Sequence, residues 1–136
     1  MAARGVKFFL DNNLSPKIAR ALHHLLEPEH SAHHLQEHFA ANTPDTTWIA
    51  ALAAEPDWII ISGDLRISRN AHEFRAWQEA GHPMFFLNPG WRNLVRWEFA
   101  SKLFHRFPDI IKRAEKANRG DGFVIPVSGA ITKLQV

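Results

Sequence analysis

A three-layer α/β fold, with a central mostly parallel sheet flanked by helices, is the fold class this sequence predicts. Three observations carry it. Apolar runs at residues 6–10, 58–61 and 84–87 read as strands buried on both faces, helix start and stop signals fill the stretches between them, and Asp, Asn or Ser-Gly-Asp follows each run. Strands alternating with helices require right-handed crossovers, which give a parallel sheet covered on both sides.

The run at residues 6–10 is apolar and stops at Asp11, Asn12 and Asn13, as expected of a central strand. Ser15 before Pro16 starts a helix, with the hydroxyl as N-cap and proline in the first helical position. Ile18, Leu22, Leu25 and Leu26 form its apolar stripe, and Pro28 ends it. Residues 29–35 predict a second, weaker strand carrying three histidines. Thr43 and Pro44 repeat the start signal, putting Asp45 in the first turn of a helix whose Trp48, Ile49 and Leu52 face inward and which Pro56 closes. Residues 58–61 make the clearest strand, and it stops at Ser62, Gly63 and Asp64. Asn70 with Glu73 has the pattern of a capping box for a third helix that carries Phe74 and Trp77 and stops near Gly81. After the strand at 84–87, Asn88, Pro89 and Gly90 form a turn. A helix is expected from about Trp91 to Phe107, and Pro108 is expected to separate it from a second basic helix ending near Asn118. Residues 123–126 and 131–136 are expected to add edge strands.

A chain of 136 residues with 46% hydrophobic and 22% charged content suits one domain with a single core. It has no cysteine, which excludes disulfides and thiolate metal sites, so any metal must bind through oxygen or imidazole. No apolar run is long enough to span a bilayer, and a soluble, cytoplasmic protein without a membrane partner is expected. The net charge of +2 is unevenly spread: residues 1–91 are net −3, whereas residues 92–119 are net +5. That basic segment can attract a polyanion, or simply be a solvated helix surface balancing an acidic body.

In an open parallel sheet the functional crevice lies outside the carboxyl ends of the strands, where Asp11 and Asp64 stand. Asp45 opens a helix after a connection that returns to the same rim. Taken singly, each aspartate is explained as a cap or turn residue. Together they repel. Two carboxylates about 4 Å apart cost roughly 1 kcal/mol in water and about 4 kcal/mol at an effective dielectric near 20. A cation resolves this, and oxygen ligands favour Mg²⁺ or Mn²⁺. Such an ion activates water and polarises a phosphoryl oxygen. Arg66 and Arg69, just beyond Asp64, can grip a phosphate or neutralise the aspartates. Asn12, Asn13 and Ser62 can orient a ligand or finish a turn. His34 and His38 would have zinc-pair spacing only if their stretch were helical. Trp48, Trp58 and Trp77 have core-like spacing, which leaves Trp91, beside the basic segment, as the better base-stacking candidate, with packing the stronger reading.

The segments FFLDNNLSPKIARAL, TPDTTWI, IISGDLRISRN and FFLNPGW, in this order, resemble the PIN-like domain of VapC-type toxins over roughly residues 6–119. The resemblance implies a three-layer PIN-like fold and a Mg²⁺- or Mn²⁺-dependent ribonuclease, often dimeric and often inhibited by a partner antitoxin. Carried over by position, Asp11, Asp45 and Asp64 are its acidic site residues. Many PIN proteins use four acids, and a related short group has glutamate where Asn12 stands. Glu73 is one candidate for the fourth, but its capping-box pattern explains it equally well. Two functions follow: a toxin-like endoribonuclease, or a catalytically weak module that binds RNA or a protein partner. A purely structural dimerisation domain ranks behind both.

Overall fold

The structure, a computed structural model, describes residues 5–135. Its elements in chain order are β1 (Lys7–Leu10), α1 (Pro16–Leu26), β2 (Ser31–His34), α2 (Asp45–Leu52), β3 (Trp58–Ser62), α3 (Ala71–Ala80), β4 (Met84–Leu87), α4 (Arg96–Lys116), β5 (Gly122–Ile125) and β6 (Thr132–Lys133). Short 3-10 turns at Leu35–Glu37, Leu65–Ser68 and Pro89–Asn93 complete the order. The six strands form one sheet in the order β2-β1-β3-β4-β5-β6, parallel except for the β5–β6 pair. This is the predicted α/β architecture of three layers.

The strands are apolar on both faces because each face meets helices. Phe8, Leu10, Ile59, Ile61, Phe85, Leu87, Phe123 and Ile125 pack against α1 and α4. Phe9, Trp58, Ile60, Met84 and Phe86 point the other way, onto α2 and α3. The alternation is the two-residue period of a strand. Ser15 caps α1 by accepting from the Lys17 N–H at 3.1 Å, with Pro16 opening the helix as expected. Pro44, rather than Thr43, takes the cap position of α2; the Thr43 hydroxyl donates to the Ala40 carbonyl instead.

Two expectations need correction. Pro108 does not divide the basic segment: α4 runs unbroken through it for 21 residues, beginning at Arg96 and not at Trp91. Leu103, Phe107, Ile110 and Ala114 form one buried stripe on both sides of the proline, which is itself exposed. A mid-helix proline costs about 3 kcal/mol, and burying Phe107 and Ile110 together offsets it at roughly 1.5–3 kcal/mol each. The second correction concerns β5, which is not an edge strand. It lies between β4 and β6 with Phe123 stacked on Phe85 at 4.6 Å. Residue 136, at the end of the expected tail strand, lies outside the described residues. The histidine-rich stretch is strand β2, as expected, followed by a 3-10 turn, so His34 and His38 do not share a helix face. Both His34 ring nitrogens are engaged: Nε2 donates to the Leu14 carbonyl at 2.7 Å and Nδ1 accepts from the Gln36 N–H at 3.0 Å.

If the stripe on α4 carries the helix across Pro108, Pro108→Ala restores a backbone hydrogen bond, removes the ring clash and raises the unfolding free energy by about 1–3 kcal/mol. Urea denaturation measures this, and a loss of stability would show that the proline shapes α4 instead.

Candidate metal centre

Chain direction in the sheet reverses between β1 and β3: β1 leads outward to β2, and the chain then returns to place β3 on the other side of β1. The crevice at such a switch point opens at the carboxyl ends of the two strands. Asp11 follows β1 there, and Asp64 follows β3.

Asp11 is buried and held by the backbone around it. The Ser62 hydroxyl donates to one carboxylate oxygen, and the N–H groups of Asn13 (3.0 Å) and Gly63 (3.3 Å) donate to the other. Ser62 also accepts from the Asp64 N–H at 2.9 Å, so one hydroxyl ties the end of β1 to the end of β3. A side chain on residue 63 would overlap the Asn13 Cβ, which is why glycine stands there. Burial pushes Asp11 up to about 7, against the lowering effect of those three hydrogen bonds, and the negative charge of Asp45 adds to the rise.

Asp64 accepts from the Arg66 backbone N–H at 3.0 Å and from its guanidinium twice, Nε to Oδ1 at 2.9 Å and Nη2 to Oδ2 at 3.0 Å. Hydrogen bonding to the Arg66 guanidinium, more than the opposing burial, holds Asp64 below the usual carboxylate range, and the charge of Arg92 acts in the same direction. The Arg66 side chain is 78% exposed while that of Asp64 is 10% exposed. Asp45 is the first residue of α2, and the Trp48 indole donates to it at 2.9 Å. Trp48 is buried and stacked on Phe9 at 5.4 Å, so a core residue fixes the direction of this carboxylate.

Glu73, the candidate fourth acid, joins this group. Asn70 caps α3 through the N–H groups of His72 and Glu73, as predicted, but the Glu73 carboxyl turns instead to Asp45. Ligand oxygens of Asp45, Asp64 and Glu73 lie within 4.8 Å of one another. The hydrogen bond to Asp45, then burial, then the charges of Asp45 and Asp64 push Glu73 up to about 7. The sequence offers Glu73 as a candidate fourth acid but does not separate it from a capping-box residue, because both use the same spacing. The available signal was that acids open two consecutive helices, α2 and α3, that cover the same sheet face.

Asp11 therefore borders the close triad without being one of its three members. Asn12 donates its amide to the Ala41 carbonyl and accepts from Gln36 Nε2 at 3.1 Å, pinning the connection that leads to Asp45. Asn13 supplies its backbone N–H to Asp11. Arg69 is exposed, and no ion pair or side-chain hydrogen bond joins it to an acid among the described residues. Trp91 is not available for stacking: it is buried, donates to the Ile125 carbonyl at 2.9 Å and packs edge-on to Phe99 at 5.2 Å.

A family profile described as "PIN like domain" matches residues 6–89. This chain belongs to the PIN-like domain family. The matched stretch carries Asp11, Asp45, Asp64 and Glu73 and ends before α4. No curated protein and no solved structure matches the chain. PIN-like domains are typically metal-dependent nucleases, and the donor set here suits that chemistry. It is all carboxylate, and one internal positive charge, the Arg66 guanidinium on Asp64, already answers part of the demand for a cation, while crowding by Asp45 and Asp64 pushes Glu73 toward its neutral form. A divalent metal fits the same place on the same electrostatic grounds. The rim is open. A cavity of about 430 Å³ lies at the opposite end of the sheet, lined by Val6, Pro56, Asp57 and His82 among others, and holds none of these acids.

These raised carboxyl groups set a sign for stability. Asp11 and Glu73 prefer the protonated form in the folded chain, so their contribution is complete near pH 4 and is lost as pH rises to about 7. His33, which partial burial lowers, acts oppositely near its ordinary value of 6.5. The expected outcome is that, in EDTA, Asp11→Asn and Glu73→Gln each gain stability relative to wild type as pH rises from 5 to 7.5. Thermal melts measure the difference, and a pH-independent difference would contradict the assigned causes.

Proposed function

We propose that this PIN-like protein is a Mg²⁺- or Mn²⁺-dependent endoribonuclease, acting as the toxin of a toxin–antitoxin pair. The observation that carries the reading is the convergence of Asp45, Asp64 and Glu73 beside Asp11 at the switch point of the sheet. Asp45, Asp64 and Glu73 would hold the metal, with Asp11 at their border. When bound, the ion supplies Lewis-acid stabilisation of the phosphodiester and a more acidic water for its hydrolysis. The chain's own contribution is position. The N-terminal ends of α2 and α3 place partial positive charge at Asp45 and Glu73 and reduce the cost of gathering them. Trp48 orients Asp45, and Ser62 keeps Asp11 and the Asp64 backbone in register. Arg66, largely in solvent, is free to leave Asp64 and meet a substrate phosphate, for which its planar fork is suited.

An open rim with a basic segment nearby supports a polymeric, anionic substrate over a small enclosed one. The alternative of a module that binds RNA without cleaving it drew on a missing fourth acid, and Glu73 supplies one. A cognate antitoxin and a homodimer belong to this reading through the VapC-type resemblance. A neighbouring reading frame for a small DNA-binding protein, whose co-expression relieves growth inhibition, tests the toxin role.

Purified protein is expected to cleave single-stranded RNA with Mg²⁺ or Mn²⁺ and not in EDTA. Asp64→Asn and Glu73→Gln should each lower turnover by more than the roughly 10–100-fold that loss of an outer-shell partner costs. Equal products at equal rates from wild type and both variants would refute the assignment. A second expectation follows from the Arg66–Asp64 pair. Arg66→Gln should tighten Mn²⁺ binding several-fold in calorimetry, because the ion no longer competes with a guanidinium, while cleavage slows. Unchanged or weaker Mn²⁺ affinity would remove Arg66 from this role.

A further inference from the structure

Four of the five tryptophans, Trp48, Trp58, Trp77 and Trp91, are buried, whereas Trp97 is 83% exposed. It does not stand alone. Val95 is 72% exposed, and Arg92 and Arg96 are exposed on either side of it. The topology puts this group on the acid rim. β4 runs parallel to β3 and ends on the same side of the sheet, the 3-10 turn Pro89–Asn93 follows, and α4 starts at Arg96 before running back across the sheet to β5. Phe99 turns inward against Trp91, which leaves Trp97, two residues earlier on the helix, facing outward.

We propose that Arg92, Val95, Arg96 and Trp97 form a platform for single-stranded RNA, with the Trp97 indole stacked on an unpaired base beside the acid triad and the two arginines on flanking phosphates. The proposal rests on the nuclease reading and adds to it where the strand lies. An aromatic face flanked by guanidinium groups matches a polymer that alternates flat bases with phosphates. A two-fold interface between copies of this chain is a poorer fit. It would set the patch against itself and bring four guanidinium groups together with only the two Glu98 carboxylates between them. An exposed tryptophan in the first turn of α4 also serves no packing purpose, since the helix already buries Leu103, Phe107, Ile110 and Ala114.

The test uses the full chain in EDTA, so that cleavage does not interfere, and a labelled, unstructured oligouridylate as the probe. Because the other four indoles are buried, the probe should quench the solvent-exposed part of the tryptophan emission in wild type and not in Trp97→Phe. Trp97→Ala should weaken binding roughly tenfold, the scale of losing one stacked base, while Trp97→Phe keeps most of the affinity. Arg96→Ala should reduce the salt dependence by about one phosphate. Equal affinity of wild type and Trp97→Ala would overturn the platform. So would a wild-type oligomer that Trp97→Ala dissociates in sedimentation with RNA affinity unchanged, an outcome that assigns the patch to a second copy. The nuclease reading fails by a different result, intact RNA after incubation of wild type with Mg²⁺ or Mn²⁺.

Discussion

Carboxylates brought within 4.8 Å of one another must be neutralised, and much of this structure is arranged around that requirement. At such range each pair costs roughly 4 kcal/mol at an effective dielectric near 20, a large fraction of the 5–15 kcal/mol by which a domain is usually stable. The chain answers with a Glu73 carboxyl pushed toward its neutral form, the Arg66 guanidinium on Asp64, hydrogen bonds to Asp11, and two helix N-termini. Two of these answers can be withdrawn. A proton leaves near neutral pH and an exposed arginine swings away at little cost, so the site is held ready for an external cation.

Holding mutually repelling groups in place takes a rigid frame. The frame is the sheet, whose central strands bury Phe8, Phe9, Ile60, Ile61, Phe85 and Phe86 completely. The acids connect to it through short paths. Ser62 bridges the ends of β1 and β3, Trp48 links Asp45 to Phe9 in the core, and Asn12 anchors the connection leading into α2. A substitution in the core under Trp48 would therefore reach the acid triad through Asp45. The same logic places exposed groups outside the frame: Arg66, Arg92, Arg96 and Trp97 all lie on the solvent side of the rim.

Much of the fold was legible because its signals are local. Apolar runs at residues 6–10, 58–61 and 84–87, the Ser15-Pro16 start and the Gly81 stop all correspond to elements of the structure. The errors arose where two physical effects share one sequence pattern. Pro108 reads as a break until the buried stripe crossing it is seen, and Asn70-x-x-Glu73 reads as a capping box whether or not the glutamate turns back. Trp91 and Trp97 look alike as aromatics near basic residues. Which one is buried depends on the phase of α4 against the sheet, and the helix starts five residues later than the sequence suggests.

By itself the sequence determined an α/β chain with a parallel sheet, strand ends that carry Asp11 and Asp64, and an acid opening α2, because strand burial and helix starts are written in neighbouring residues. Only the tertiary structure decided which acids meet. Asp45, Asp64 and Glu73 come from a helix, a strand end and another helix, and their distances depend on the packing of α2 against α3, which no local pattern encodes. It also set Asp11 beside the triad, its oxygens accepting from Ser62, Asn13 and Gly63 across the switch point.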